Sequence, residues 1–231
     1  MLDILHDYGL ILLIGEYPHG PLGGLAMTLI LAAAALLLSF PLAVLVGIGR
    51  TSPIRLVSRL AGLYANTVRG LPLLLLVFWS YFAVPMLFGK SINASLVMLV
   101  ALVIYESAYL GEIVKAGIQA LPRGQTEAAR TLGMGYWTTL RKVILPQALF
   151  NMIPSMMNQF VVVVKNTSLA YVIGVDELTN AAYQVNSQLL TKPFEVYALL
   201  AMTYFVVCFA LSRAVAALEQ RIARTRRSRP A

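Results

Sequence analysis

Along the chain, apolar runs long enough to cross a bilayer alternate with short polar stretches. A hydrocarbon core about 30 Å thick needs about 20 mainly apolar residues in a helix. Leu25 to Ile48 is such a run and ends at Arg50, with Pro41 as the place for a kink. Ser52 to Gly70 reads differently: it is amphipathic and carries Arg55, Arg59 and Arg69. Gly70-Leu71-Pro72 then breaks the helix before a second crossing, Leu73 to Leu87, which ends near Gly89-Lys90. Leu96 to Val114, Leu149 to Ile173 and Glu195 to about Leu218 supply the third, fourth and fifth crossings. The pattern predicts an all-α membrane protein with about five transmembrane helices in one domain, residues 1–231. Met1 to Leu22 reads as an interfacial segment, and Gly174 to Phe194 as the longest outer loop.

Composition supports this reading, and the charge distribution orients it. The 231 residues are 59% hydrophobic and only 12% charged, about half the charge of an ordinary soluble domain. The formal net charge of +8 is confined to alternate connections. Arg50, Arg55, Arg59 and Arg69 form one group, Lys115, Arg123, Arg130, Arg141 and Lys142 a second, and Arg213 to Arg229 a third. Asp3, Asp7, Glu16, Asp176, Glu177 and Glu195 fall in the other connections. This is positive-inside asymmetry and predicts the N-terminus out and the C-terminus in. The basic balance is thus a membrane address, and nucleic acid is not expected as a partner. The acidic start lacks a basic n-region, so no cleavable signal peptide is expected. Cys208 is the one cysteine, and His6 and His19 have no cluster around them, so no metal site is expected.

The longest polar interruption, about residues 120–147, carries its own folding instructions. Thr126 is placed to cap a helix favoured by Glu127, Ala128, Ala129, Arg130 and Leu132, with Glu127 suited to the helix dipole. Gly133 can take the left-handed conformation that stops it. A second short helix, Tyr136 to Val143, leads to Pro146 in the first turn of the next element. The result is a helix-turn-helix elbow with small side chains facing outward. It can either dock another protein or rest on lipid headgroups.

The spacing favours docking. Glu127-Ala128-Ala129, Gly133, Leu145 and Pro146 resemble the signature loop of bacterial ABC-importer permeases, with Val143 where that family prefers Ile. Arg69-Gly70-Leu71-Pro72-Leu73-Leu74, Tyr105 to Glu112, Ile118 to Gln125 and Val164-Lys165-Asn166-Thr167-Ser168-Leu169 resemble the polar-amino-acid branch of that family. The resemblance implies the type I permease fold and a bacterial inner-membrane location. It makes Gly124, Glu127, Ala128, Ala129, Leu132 and Gly133 the surface that docks a cytosolic ATPase. It further implies a second permease subunit and an extracytoplasmic solute-binding protein. ATP and Mg²⁺ would be held by the ATPase, with no cofactor in this chain.

The fourth crossing carries an intramembrane polar set: Asn158, Gln159, Lys165, Asn166, Thr167 and Ser168. Lys165 lies roughly 16 Å beyond Pro154, near the midplane, and Glu106 on the third crossing reaches a similar depth. Charges there usually face a cavity or a counter-charge. Two readings stand: a structural Glu106–Lys165 ion pair, or a polar substrate pathway offering Lys165 to a carboxylate. Asn166 replaces the Asp usual in the resembling string, removing a negative charge beside Lys165 and favouring anionic amino acids. No Gly-x-x-x-x-Gly-Lys-[Ser/Thr] sequence is present, and no Ser/His/Asp or Cys/His set is plausible, so the chain is not expected to be an enzyme. The reading is a permease subunit of an ABC importer for polar amino acids, with glutamate and aspartate as the candidate substrates. The alternative is an ion-coupled transporter with Glu106 and Lys165 as a titrating pair.

Overall fold

The computed structural model describes residues 2–89 and 92–227, so Lys90 and Arg229, both used in reading the charge pattern, lie outside the described residues. The chain is a bundle of helices: α1 (Leu2–Ile14), α2 (Gly24–Arg50), α3 (Arg55–Gly70), α4 (Leu73–Phe88), α5 (Ala94–Gln119), α6 (Arg123–Thr131), α7 (Tyr136–Thr139), α8 (Leu145–Asn166), α9 (Leu178–Leu189) and α10 (Pro193–Arg227). A π-turn, Leu140–Ile144, joins α7 to α8, and a 3₁₀ segment, Thr167–Ile173, extends α8. Four stretches are long and apolar enough to span a membrane, and the bent pair α3–α4 makes a fifth. That agrees with the expected five.

The bundle is organised on α2 and α5. Ala35, Ser39, Ala43 and Gly47 recur every four residues on α2 and are buried, which lets the two backbones approach closely. Gly111 on α5 is part of the same fit: a Cβ there would meet Val46 Cγ1 at 2.7 Å. A Gly111→Leu protein would therefore lose the α2–α5 contact and is expected to be found mainly unfolded by size-exclusion chromatography in detergent. Around this pair, Met98, Leu102, Val77, Val163 and Val164 form the main core. Pro41 sits within α2, which runs unbroken past it.

The break between α3 and α4 follows from Pro72. Pro72 lacks an N–H, and Leu71 before it is extended (φ −95°, ψ 136°). The two helices meet at 98°.

At the other end of the bundle, two expectations need correcting. Gly174 to Phe194 is not a loop: Glu177 starts α9 there. Met1 to Leu22 does not simply rest at an interface, because Ile4 and Leu12 of α1 pack with Leu178, Ala181, Ala182 and Val185 of α9. A Leu-Ala-Ala-Val face at helical spacing finds its partner in α1, and the pair caps the bundle.

Candidate functional site

The elbow is built as expected in its stop and differently in its start. Pro122, not Thr126, stands at the N-cap of α6, and no side chain caps that helix. Pro122 presets the backbone one turn earlier than the capping signal. Glu127 consequently lies beyond the first turn, where the helix dipole no longer favours it. Gly133 has φ +79°, and the Gly133 N–H donates to Arg130 O at 2.9 Å while the Met134 N–H donates to Ala129 O at 3.0 Å. This paired closure is the Schellman arrangement. Pro146 lies in the first turn of α8 as read. Gln147 Nε2 donates to Gln125 Oε1 at 2.6 Å and to Val143 O at 2.8 Å, tying α6 to the root of α8. The sequence does not single out those glutamines, because their pairing depends on the turn between them.

Outward, the elbow presents Gly124, Glu127, Ala128 and Leu132, all exposed, the leucine 81% so. Ala129 points inward and is 4% exposed. A hollow of about 410 Å³ runs over Gly124, Ala128, Leu132, Met134 and Val143. A Cβ at Gly124 would meet nothing within 4 Å, so nothing inside this chain demands a glycine there.

The intramembrane polar set splits into two faces. Glu106 is fully buried, and its Oε2 and Oε1 accept from Gln159 Nε2 (2.7 Å) and Asn166 Nδ2 (3.1 Å). Gln159 and Asn166 are seven residues apart and so share a stripe of α8 facing α5. Asn158 and Lys165, also seven apart, are exposed on another face, and Asn158 Nδ2 donates to Glu219 Oε1 at 3.3 Å. The Glu106–Lys165 ion pair is therefore not formed: two amides satisfy the carboxylate instead. Thr167 and Ser168 turn back on their own helix, donating to Val164 O and Lys165 O.

Two further carboxylates stand out only in the structure. Glu112 gathers three cations: Arg50 at 2.9 Å, Lys115 at 3.2 Å and Arg69 at 3.8 Å. Arg69 also lies 5.3 Å from the Tyr109 ring centroid, so it is held within the chain rather than simply snorkelling. The Glu112–Lys115 spacing is the available signal, while the arginines arrive from α2 and α3.

Glu177, outside the membrane spans, is fully buried and caps α9, accepting from Thr179 N (2.9 Å), Asn180 N (3.0 Å) and the Tyr204 hydroxyl (3.1 Å). Burial outweighs these donors and pushes its carboxyl up to about 7. A raised carboxyl pKa means the folded protein holds the proton more tightly than the unfolded one. Its stabilisation is complete below about pH 4.5 and is lost as pH rises through about 7, a difference of about 3 kcal/mol. Wild type should melt at a higher temperature at pH 5 than at pH 8 in a thermal scan, and Glu177→Gln should flatten that difference.

An all-helical bundle with five spans, a buried amide-held carboxylate and an exposed elbow defines a membrane permease worked from outside the bilayer. The chain belongs to the family of binding-protein-dependent transport system inner membrane components, whose model matches residues 39–224. It is 38% identical over 200 residues to the probable glutamine ABC transporter permease protein GlnP of Bacillus subtilis, covering 86% of this chain and 91% of that one. It is also 38% identical over 203 residues to the inner membrane amino-acid ABC transporter permease protein YhdY of Escherichia coli, covering 86% of this chain but only 55% of YhdY. A solved amino acid ABC transporter with histidines matches with a TM-score of 0.78 at 37% identity, over 86% of this chain and 92% of that one. The chain is thus a permease subunit of an amino-acid ABC importer with the type I fold, an inner-membrane protein and not itself an enzyme. Membership implies an ATPase, a solute-binding protein and a second permease as its partner classes. The ion-coupled alternative finds no support in these relatives, and its titrating pair is not formed.

Proposed function

We propose that α6 and its Gly133 turn are the rod on which a cytosolic ATPase pulls. The observation that carries this is the elbow's outer surface: Gly124, Ala128, Leu132 and Gly133 leave an open apolar hollow bordered by Glu127. Ala129 faces inward and seats the rod on the bundle. The ATPase holds ATP and Mg²⁺, and one such ATPase serves each of two permease subunits. The orientation is N-terminus out and C-terminus in, which puts the elbow on the cytosolic side. Closure of the ATPases favours one of two bundle states, and this difference in affinity drives alternating access.

The substrate pathway is formed by α5 and α8. Lys165 and Asn158 offer polar groups from the exposed face of α8, and the Glu106–Gln159–Asn166 set fixes its rotation, with Thr167 and Ser168 closing its last turn. A solute-binding protein delivers a polar amino acid to the outer face. Asn166 adds no negative charge beside Lys165, which favours glutamate or aspartate.

Leu132→Cys in a Cys208→Ala background tests docking. Disulfide trapping to the importer's ATPase is expected, and a cysteine placed there that labels only with lipid-phase reagents would refute it. Lys165→Leu should insert normally yet take up amino acid at least tenfold more slowly in proteoliposomes. Full activity would remove Lys165 from the pathway.

A further inference from the structure

The basic end of α2, α3 and α5 encloses a second hollow that the transport reading does not use. Its lining includes Arg50, Ser58, Arg59, Asn66 and Lys115, with Leu63 at the edge, and no carboxylate. Its volume is about 510 Å³, room for a phosphate group with its immediate substituents. Arg50 is fixed in place: Nη1 donates to Gly62 O (3.3 Å) and Asn66 Oδ1 (3.2 Å), and Nη2 meets Glu112. Lys115 is held by the same carboxylate from behind, using one of its three donors. Arg59 is exposed and makes no ion pair among the described residues. Three cations thus share one carboxylate, and the hollow keeps a surplus of positive charge and free donors.

The neighbouring surface says what kind of anion fits. Leu56, Leu60 and Leu63 lie at i, i+4 and i+7 on α3 and are exposed by 66%, 57% and 66%. They form an apolar stripe running to the lip of the hollow. Because α3 meets the apolar α4 at 98°, a membrane-crossing α4 leaves α3 lying in the plane of the interface. Phosphate groups and the upper ends of acyl chains occur together at that depth.

We propose that this hollow binds the phosphate headgroup of an anionic phospholipid, with the acyl chains lying on the Leu56–Leu60–Leu63 stripe of α3. Arg59 and Lys115 donate to the phosphate oxygens, and Arg50, already oriented by Gly62 and Asn66, closes the charge from the α2 side. A free phosphate has the same chemistry but gains nothing from the stripe, which is why the lipid is the expected occupant.

The test is native mass spectrometry of the detergent-solubilised, delipidated importer complex titrated with phosphatidylglycerol or phosphatidylcholine. One phosphatidylglycerol per copy of this chain is expected to bind at least tenfold more tightly than phosphatidylcholine. Arg59→Gln, which breaks no contact seen in the fold, should remove most of that preference. Arg141→Gln removes an equal charge from the exposed π-turn and should leave the preference intact. Millimolar inorganic phosphate should fail to displace the lipid. Equal binding of the two lipids, equal loss in the Arg59 and Arg141 variants, or ready displacement by phosphate would each overturn the proposal.

Discussion

Gly133→Val is expected to reduce ATP-driven uptake at least tenfold while leaving expression and membrane insertion unchanged. The glycine sits at φ +79°, a region a β-branched residue enters only with strain of about 1–3 kcal/mol. Space is not the obstacle, because a Cβ there would meet nothing within 4 Å. The cost falls on the backbone, and relieving it breaks the two bonds from Gly133 N and Met134 N that end α6. The helix then frays or continues, and either outcome changes the angle between α6 and the root of α8. The five spans do not depend on that turn, so insertion survives. Uptake by the reconstituted importer and ATP hydrolysis stimulated by loaded binding protein check the result. Gly133→Asn is the control: Asn tolerates the left-handed region and should retain most of the activity. A valine variant that imports normally would mean that the elbow's shape does not transmit the motor's motion.

The features legible in the sequence are those fixed locally. Pro72 sets its own break, Gly133 its own turn, and the apolar runs of α2, α5 and α10 have only one place to go. What is not legible depends on helix rotation and on partners distant in sequence. Lys165 and Asn166 differ by one residue, about 100° around a helix, and depth alone does not say which faces α5. The ion-pair reading selects Lys165, whereas the structure turns Asn166 inward and leaves the lysine on an exposed face. Thr126 fails as a cap for a related reason: a good capping residue one turn too late loses to a proline that has already set the backbone. Glu177 gives no cue beyond its charge, since its role requires α9 to exist and Tyr204 of α10 to lie above it.

The same rotation makes Asn166→Asp the most damaging conservative change in the membrane region. Asn166 Nδ2 now donates to Glu106 Oε1 at 3.1 Å, and Gln159 Nε2 donates to the other oxygen at 2.7 Å. Replacing that amide by a carboxylate removes a donor and places a second anion against a carboxylate with no exposed surface. None of the described ion pairs reaches Glu106, so no cation there offsets the repulsion. Leaving a buried charge uncompensated costs about 3–5 kcal/mol. In a chain of this length that lowers the melting temperature on the order of 10 °C. Adding Glu106→Gln should restore it, because an amide at position 106 supplies the donor that the single variant lost, with amide and carboxylate exchanged between the two helices. A double-mutant cycle measured by thermal melting therefore expects strong coupling between positions 106 and 166. Uptake assays on the doubly substituted protein then isolate the effect of charge beside Lys165. If a negative side chain at position 166 disfavours glutamate and aspartate while the fold is intact, the preference for acidic substrates lies at that position. Unchanged selectivity among acidic, neutral and basic amino acids would assign position 166 to holding α8 against α5 and nothing more.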